Sequence, residues 1–192
     1  MSRTDPPRAV LDTDIIYSRV LHELLGRVAD DLHLLDLFWS DELLAETRKS
    51  LVKKKGLTTD AAKRWVDHLP ENFPAGHIRI DAALNTIDLS SLTSDPGDHH
   101  VCALAIASNA DYLFTHDRGY LHDGLRLHGV EVTAPDAFLD IAFATQPQGM
   151  LGLLELQASD WGGGRPIEDL LAASERAGAS VFAEKARRTL TM

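Results

Sequence analysis

Two short apolar strands that each run into an aspartate constrain this chain most. Residues 8–12 (Arg-Ala-Val-Leu-Asp) read as a strand closing on Asp12, and Tyr112-Leu-Phe-Thr115 as a strand running into Asp117. Helical segments separate such strands. Ile16, Val20, Leu24, Leu25 and Val28 recur at helical spacing over 15–29. A strand is expected toward the end of 34–39. Ser40 then caps a helix carrying Leu43, Leu44, Thr47 and Leu51 on one face, and Gly56 ends it. A further helix is expected from Thr59 to a stop at Pro70, and a strand over His77 to Ile80. Asp95-Pro-Gly-Asp98 reads as a turn ahead of the helical run Val101 to Ala107. Val130 to Thr133 reads as a strand and Pro135 to Phe143 as a helix. Strands alternating with helices make an α/β domain with a parallel sheet, in which ligands sit at the carboxyl ends of the strands. Asp12 and Asp117 stand at two such ends.

The first domain is expected to be residues 1–144. Gln146-Pro-Gln-Gly149 reads as a linker and Trp161-Gly-Gly-Gly164 as a second break. Pro166 opens a helix (Ile167 to Arg176), and Gly178 separates it from a last helical segment, so that 145–192 form a helical appendage.

Four carboxylates, Asp12, Glu46, Asp98 and Asp117, are gathered by this fold at one edge of the sheet. Oxygen donors of this kind suit Mg²⁺ or Mn²⁺, which lower the pKa of bound water and neutralise a phosphodiester. Taken singly each has an ordinary explanation. Asp12 and Asp117 are turn residues, Asp98 is an N-cap after Pro96-Gly97, and Glu46 is a solvated helix residue. Their combination at strand ends is what points to a site.

These strings resemble the motifs of PIN-domain nucleases. Val10-Leu-Asp12-Thr-Asp14-Ile-Ile resembles the opening strand motif, and Phe38-Trp-Ser-Asp41-Glu-Leu-Leu-Ala-Glu46 the second strand with its glutamate-bearing helix. Asp95-Pro-Gly-Asp98-His-His-Val-Cys-Ala-Leu-Ala resembles the third motif, and Ala110 to Asp117 the fourth. Gly129-Val-Glu-Val-Thr-Ala-Pro135-Asp-Ala-Phe-Leu is similar to the closing segment, so the likeness covers about residues 8–143. The most similar branch is that of VapC-type toxins with a C-terminal helical extension. The resemblance implies a PIN-like three-layer fold, a central parallel sheet flanked by helices. It also implies a Mg²⁺- or Mn²⁺-dependent ribonuclease acting as the toxin of a toxin–antitoxin pair, commonly a homodimer and restrained by a cognate antitoxin. Asp12, Asp98 and Asp117 would hold the metal, Glu46 would complete the catalytic set, and Thr115 would support it. Asp14 stands where many relatives carry asparagine and adds an acid near the site.

The substrate needs cations. The formal net charge is −10, from 29 acidic and 19 basic side chains, which argues against polyanion binding by the whole surface. Yet residues 47–66 carry Arg48, Lys49, Lys53, Lys54, Lys55, Lys63 and Arg64 against Asp60 alone, directly after Glu46. Arg48, Lys49 and Lys53 to Lys55 are therefore the candidate RNA contacts; a solvated, dipole-compensating helix end is the alternative. His99, His100 and His116 adjoin the acids without the i,i+4 spacing of a zinc helix. With Cys102 the one cysteine, an intramolecular disulfide and a Cys-rich zinc site are excluded, and a reduced, cytoplasmic setting is expected. The polar start and the lack of an apolar run of roughly 18 residues give no sign of a signal peptide or membrane span.

Two rivals remain open on the sequence. Asp12-Thr-Asp14 resembles the Asp-x-Asp motif of haloacid-dehalogenase-like phosphatases, with Asp12 as nucleophile, but leaves Glu46 without a role. A non-catalytic PIN-like module binding RNA or protein is the other.

Overall fold

The computed structural model describes residues 5–191. They form two compact units, one from the described part of Met1–Tyr17 with Leu35–Thr133, the other from Ser18–Leu34 with the described part of Ala134–Met192.

The first unit holds the sheet. Its strands are β1 (Arg8–Leu11), β2 (Asp36–Phe38), β3 (Tyr112–Phe114) and β4 (Glu131–Thr133), all parallel, in the order β2-β1-β3-β4. Val10 faces Phe38 on one side and Leu113 on the other, and Phe114 faces Thr133. The chain leaves β1 for β2 on one flank and takes up β3 on the other. The order therefore reverses between β1 and β3, the place where a crevice opens in such sheets. Ala9, Val10, Leu11, Leu113 and Phe114 are buried, as central parallel strands with both faces covered must be.

Helix α1 (Thr13–Tyr17) follows β1 directly. After β2, Ser40 accepts a hydrogen bond from the Leu43 N–H at 3.3 Å and starts α3 (Asp41–Lys55), after α2 (Arg19–Asp30) in chain order. Asp41 and Glu42 sit in the first turn of α3 and Lys53 to Lys55 in the last, both favourable to the helix dipole. Gly56 ends it at φ 68°, a left-handed position that suits glycine. Helix α4 (Thr59–Asn72), α5 (Asp81–Thr86), α6 (His99–Ala107) and α7 (His122–Leu127) complete the unit.

The second unit is helical. Besides α2 it contains α8 (Pro135–Thr145), α9 (Pro147–Asp160), α10 (Ile167–Arg176) and α11 (Ser180–Leu190). Leu153, Leu154, Leu170, Leu171, Phe182 and Ala183 are buried, and Arg27 pairs with Asp160 at 2.6 Å. Asp136 accepts the Val181 and Phe182 N–H groups at 3.0 and 2.9 Å, capping the start of α11. No helix among the described residues is long and apolar enough to cross a membrane.

The central parallel sheet, its flanking helices and the C-terminal helices agree with the expected fold class. Local expectations need four corrections. The segment 15–29 is two helices, because Ser18 takes an extended conformation between α1 and α2. Pro70 lies inside α4 rather than ending it; the missing N–H removes one bond, and the Phe73 N–H to Leu69 carbonyl bond at 2.8 Å still closes the last turn. His77 to Ile80 makes only one parallel bridge, between Trp39 and His77. Gln146 to Gly149 is not a linker: Gln146 alone separates α8 from α9, and Pro147 occupies the first turn of α9, where its missing N–H costs nothing.

Candidate active site

The site grows from the β1–β3 reversal. The Asp12 N–H donates to the Phe114 carbonyl at 3.0 Å, and the Thr115 N–H to the Thr133 carbonyl at 3.1 Å. Asp12 and Thr115 thus leave adjacent strand ends side by side. Asp12 is only 5% exposed. Its carboxylate accepts the Thr13 N–H at 2.6 Å on one oxygen and the Thr115 hydroxyl at 2.7 Å on the other. The Thr115 oxygen in turn accepts the Asp117 N–H at 2.9 Å. One hydroxyl therefore fixes both the Asp12 carboxylate and the backbone that carries Asp117. Asp117 accepts the Gly119 N–H at 2.7 Å, the local turn that the ordinary reading of this residue expects.

The other acids arrive from separate elements. Asp14, on α1, accepts the His116 N–H at 3.0 Å, and its carboxylate also lies 3.0 Å from His116 Nδ1. Glu46 projects from α3, its carboxylate 3.0 Å from His100 Nε2, while His100 Nδ1 is 2.8 Å from the Gly97 carbonyl. Asp95 accepts the Gly97 N–H at 2.8 Å and so shapes the turn that delivers Asp98 to the start of α6.

Asp12, Asp14, Glu46, Asp95, Asp98 and Asp117 line one cavity of about 370 Å³, with Lys54 the basic side chain in its lining. The crowding of acids has an electrostatic signature. Burial, followed by the negative charges of Asp12, Asp95, Asp117 and Glu46, raises the Asp98 pKa to about 7. Burial also raises Asp12 to about 6, helped by Asp14 and opposed by the Thr115 and Thr13 donors. Among the described residues, no three histidine, cysteine or carboxylate side chains are drawn tightly enough together to close around one ion. The donor set is nonetheless all carboxylate and hydroxyl oxygen, which fits a hard divalent cation that takes a few carboxylates and keeps its waters.

A second cavity, of about 600 Å³, shares Glu46, Ser50 and Lys54 with the first and adds Lys49, Lys53 and His100. Of the cations singled out in the sequence, Lys49, Lys53 and Lys54 line these cavities. Lys55 does not: its ammonium donates to the Tyr17 carbonyl at 2.9 Å and lies over the Tyr17 and Trp65 rings. The Arg48 guanidinium donates to its own helix, at the Leu44 carbonyl. Cys102 is fully buried, and burial pushes its thiol up to about 12, as suits a packing residue.

Sequence reasoning did not single out Thr13, Tyr17, Ser50 or Asp95 of the acid cavity, nor the adjoining Tyr120. Asp95 belongs to the same turn as Asp98 and was visible there. Ser50 follows Glu46 by four residues on α3, a spacing that places it on the same face. Tyr17 and the buried Tyr120 carried no signal beyond standing close to motif acids.

Comparisons with curated proteins and with solved structures found no match. Against protein families, the model described as PIN domain matches residues 8–119, more than half of the chain, and includes every acid of the cavity. PIN domains are typically nucleases, and this chain belongs to the PIN-domain family.

Proposed function

We propose that the chain is a Mg²⁺- or Mn²⁺-dependent endoribonuclease hydrolysing RNA phosphodiester bonds, with the nuclease domain in residues 1–144. The observation that carries this is the convergence of six carboxylates on one cavity at the strand-order reversal, two of them with raised pKa values. Asp12, Asp98 and Asp117 would hold the cation, directly or through water. When bound, it supplies a lowered pKa for coordinated water and neutralises charge on the phosphodiester. The chain's own groups do the rest. Glu46 accepts the proton of the attacking water as the water oxygen bonds to phosphorus and the bridging P–O bond to the ribose breaks, the leaving oxygen taking a proton from solvent; His100 Nε2 lies 3.0 Å from the Glu46 carboxylate. Thr115 holds Asp12 and the Asp117 backbone at one spacing, and His116 orients Asp14. The phosphatase alternative would leave Glu46 without a role, although Glu46 lines the same cavity as Asp12.

The deciding experiment is cleavage of total RNA in Mn²⁺ by the parent and by Asp12→Asn, purified identically. The parent should cleave and lose activity in EDTA. The variant should fall by at least about 10²-fold, the scale on which a lost electrostatic stabiliser is felt. Equal cleavage by both, or a rate indifferent to EDTA, would refute the assignment. The role of toxin, held by a cognate antitoxin and acting as a cytoplasmic homodimer, rests on the resemblance of the motifs to VapC-type toxins. Induction should then arrest growth for the parent and not for Asp12→Asn.

The groove beside Glu46 would take RNA phosphates. Lys63 pairs with Asp67 and Lys55 donates to Tyr17, whereas Lys49, Lys53 and Lys54 have no ion-pair partner among the described residues. Reversing Lys49 and Lys53 to glutamate should weaken RNA binding and flatten its salt dependence, by roughly one unit of log–log slope for each phosphate no longer neutralised. Lys55→Ala should leave the slope unchanged. A slope that responds equally to both would show that RNA does not lie in the groove.

A further inference from the structure

We infer that Tyr120 is a positioning residue for the acid cavity, its phenolic hydroxyl serving as a buried donor to the carboxylates that hold the cation. This rests on the reading of that cavity as a divalent-cation site. Tyr120 is 2% exposed, yet its hydroxyl has no hydrogen-bond partner of ordinary geometry among the described residues. A buried hydroxyl left without a partner is costly, so such a group needs an explanation. Its surroundings supply one. The hydroxyl stands beside the Asp12 carboxylate, close enough for the two to act on each other as donor and acceptor, with Asp98 in the same field.

The backbone fixes this placement. Tyr120 pairs with Thr93 in an antiparallel bridge, the Leu121 N–H donates to the Leu92 carbonyl at 2.8 Å, and the Ser94 N–H to the Gly119 carbonyl at 2.9 Å. Residues 92–94 lead into the turn that carries Asp95 and Asp98, and residues 119–121 follow Asp117. The bridge therefore ties two acid-bearing turns together with Tyr120 between them. A phenol is neutral near pH 7 even in water. It can donate a proton to a carboxylate without adding charge. Thr115 and Thr13 already occupy Asp12 from the strand side. Tyr120 supplies the remaining donor, which turns the carboxylates into the cavity when a cation draws them together. Outer donors of this type typically change metal affinity 10–100-fold.

The test is Mn²⁺ binding by the full chain without RNA, measured by calorimetry for the parent, Tyr120→Phe and Asp12→Asn. Phenylalanine keeps the ring and removes only the hydroxyl. Tyr120→Phe should bind Mn²⁺ about tenfold more weakly while melting no lower than the parent in EDTA. Its RNA cleavage should lose kcat with KM unchanged. Unaltered Mn²⁺ affinity would overturn the inference and make Tyr120 a core residue only. Failure of the parent itself to bind Mn²⁺ would overturn the cation site and this inference with it. Should the phenylalanine variant not fold, the parent labelled with 3-fluorotyrosine reads the same point. The Tyr120 fluorine resonance, assigned with Tyr17→Phe and Tyr112→Phe, should shift on Mg²⁺ addition. A resonance unmoved at saturating Mg²⁺ would also overturn it.

Discussion

Freed of divalent cations, the chain should lose thermal stability as the pH rises from about 4 to about 8. Asp12 titrates near 6 and Asp98 near 7 in the folded chain, against an ordinary value of 3.8. Between those values the folded state holds protons that the unfolded state has already released, so stability falls as pH rises. The contribution is fully present below about pH 4 and gone once the pH has passed the folded values. For Asp12, which is almost fully buried, a shift of about two units corresponds to on the order of 3 kcal/mol. Asp98 is more exposed and adds less, through solvent screening.

Asp12→Asn isolates the effect. It keeps the shape of the side chain and an oxygen for the Thr115 or Thr13 donor, but removes the buried charge. The variant should melt with the parent at pH 4 and several degrees above it at pH 8 in EDTA, since about 1 kcal/mol moves a chain of this size by roughly 2–4 °C. Adding Mg²⁺ at pH 8 should raise the parent and leave the variant nearly unmoved. A parent melting temperature that is flat with pH, or an Asp12→Asn variant less stable than the parent at pH 8, would remove the electrostatic basis of the site. The same burial of carboxylate charge that weakens the empty fold is relieved when a cation binds, so inactivation and stabilisation by one substitution are two readings of one arrangement.

The acids were legible because parallel-sheet topology converts strand ends into neighbours. Asp12 and Asp117 could be placed together once 8–12 and 112–115 were read as strands, and Glu46 followed from the Ser40 cap and Gly56 stop of one helix. What the sequence hid falls into two kinds. Helices α5 and α7 have six residues each, too few for a helical period to stand out. Contacts between distant segments were hidden as well. Lys55 reads like its neighbours in the run 53–55, but only the fold shows its ammonium turned onto Tyr17 and Trp65. Tyr120 reads as one more apolar residue until its hydroxyl is found among carboxylates. The grouping of α2 with α8 to α11 is equally silent in sequence, since it depends on which apolar faces meet rather than on their period.

Gly76→Ala should be among the most damaging single-methyl changes in the chain. Gly76 is buried where the segment before His77 passes the edge of β2, and a Cβ there would lie 2.1 Å from the Leu37 carbonyl oxygen. The obstacle is backbone in the sheet, which has no rotamer to escape into, so the strand or the passing segment must move. Bonds that fix this crossing would move with it. The Trp39 N–H donates to the Gly76 carbonyl at 3.0 Å, and the Trp39 indole to the Phe73 carbonyl at 2.8 Å. Trp39 immediately precedes the Ser40 cap, so the displacement reaches the start of α3 and through it Glu46. Overpacking of this severity should cost about 3 kcal/mol or more, above the usual range for an added methyl group. Cleavage should fall even at temperatures where the variant remains folded, because α3 enters at a different angle. Gly152→Ala is the matched control: it lies within α9, with open space around the new methyl group, and should stabilise by about 0.5–1 kcal/mol. Chemical denaturation of both variants beside the parent measures the contrast. A Gly76→Ala midpoint equal to the parent's would mean that the segment does not cross β2 at this distance, and the placement of Glu46 derived from it would fall as well.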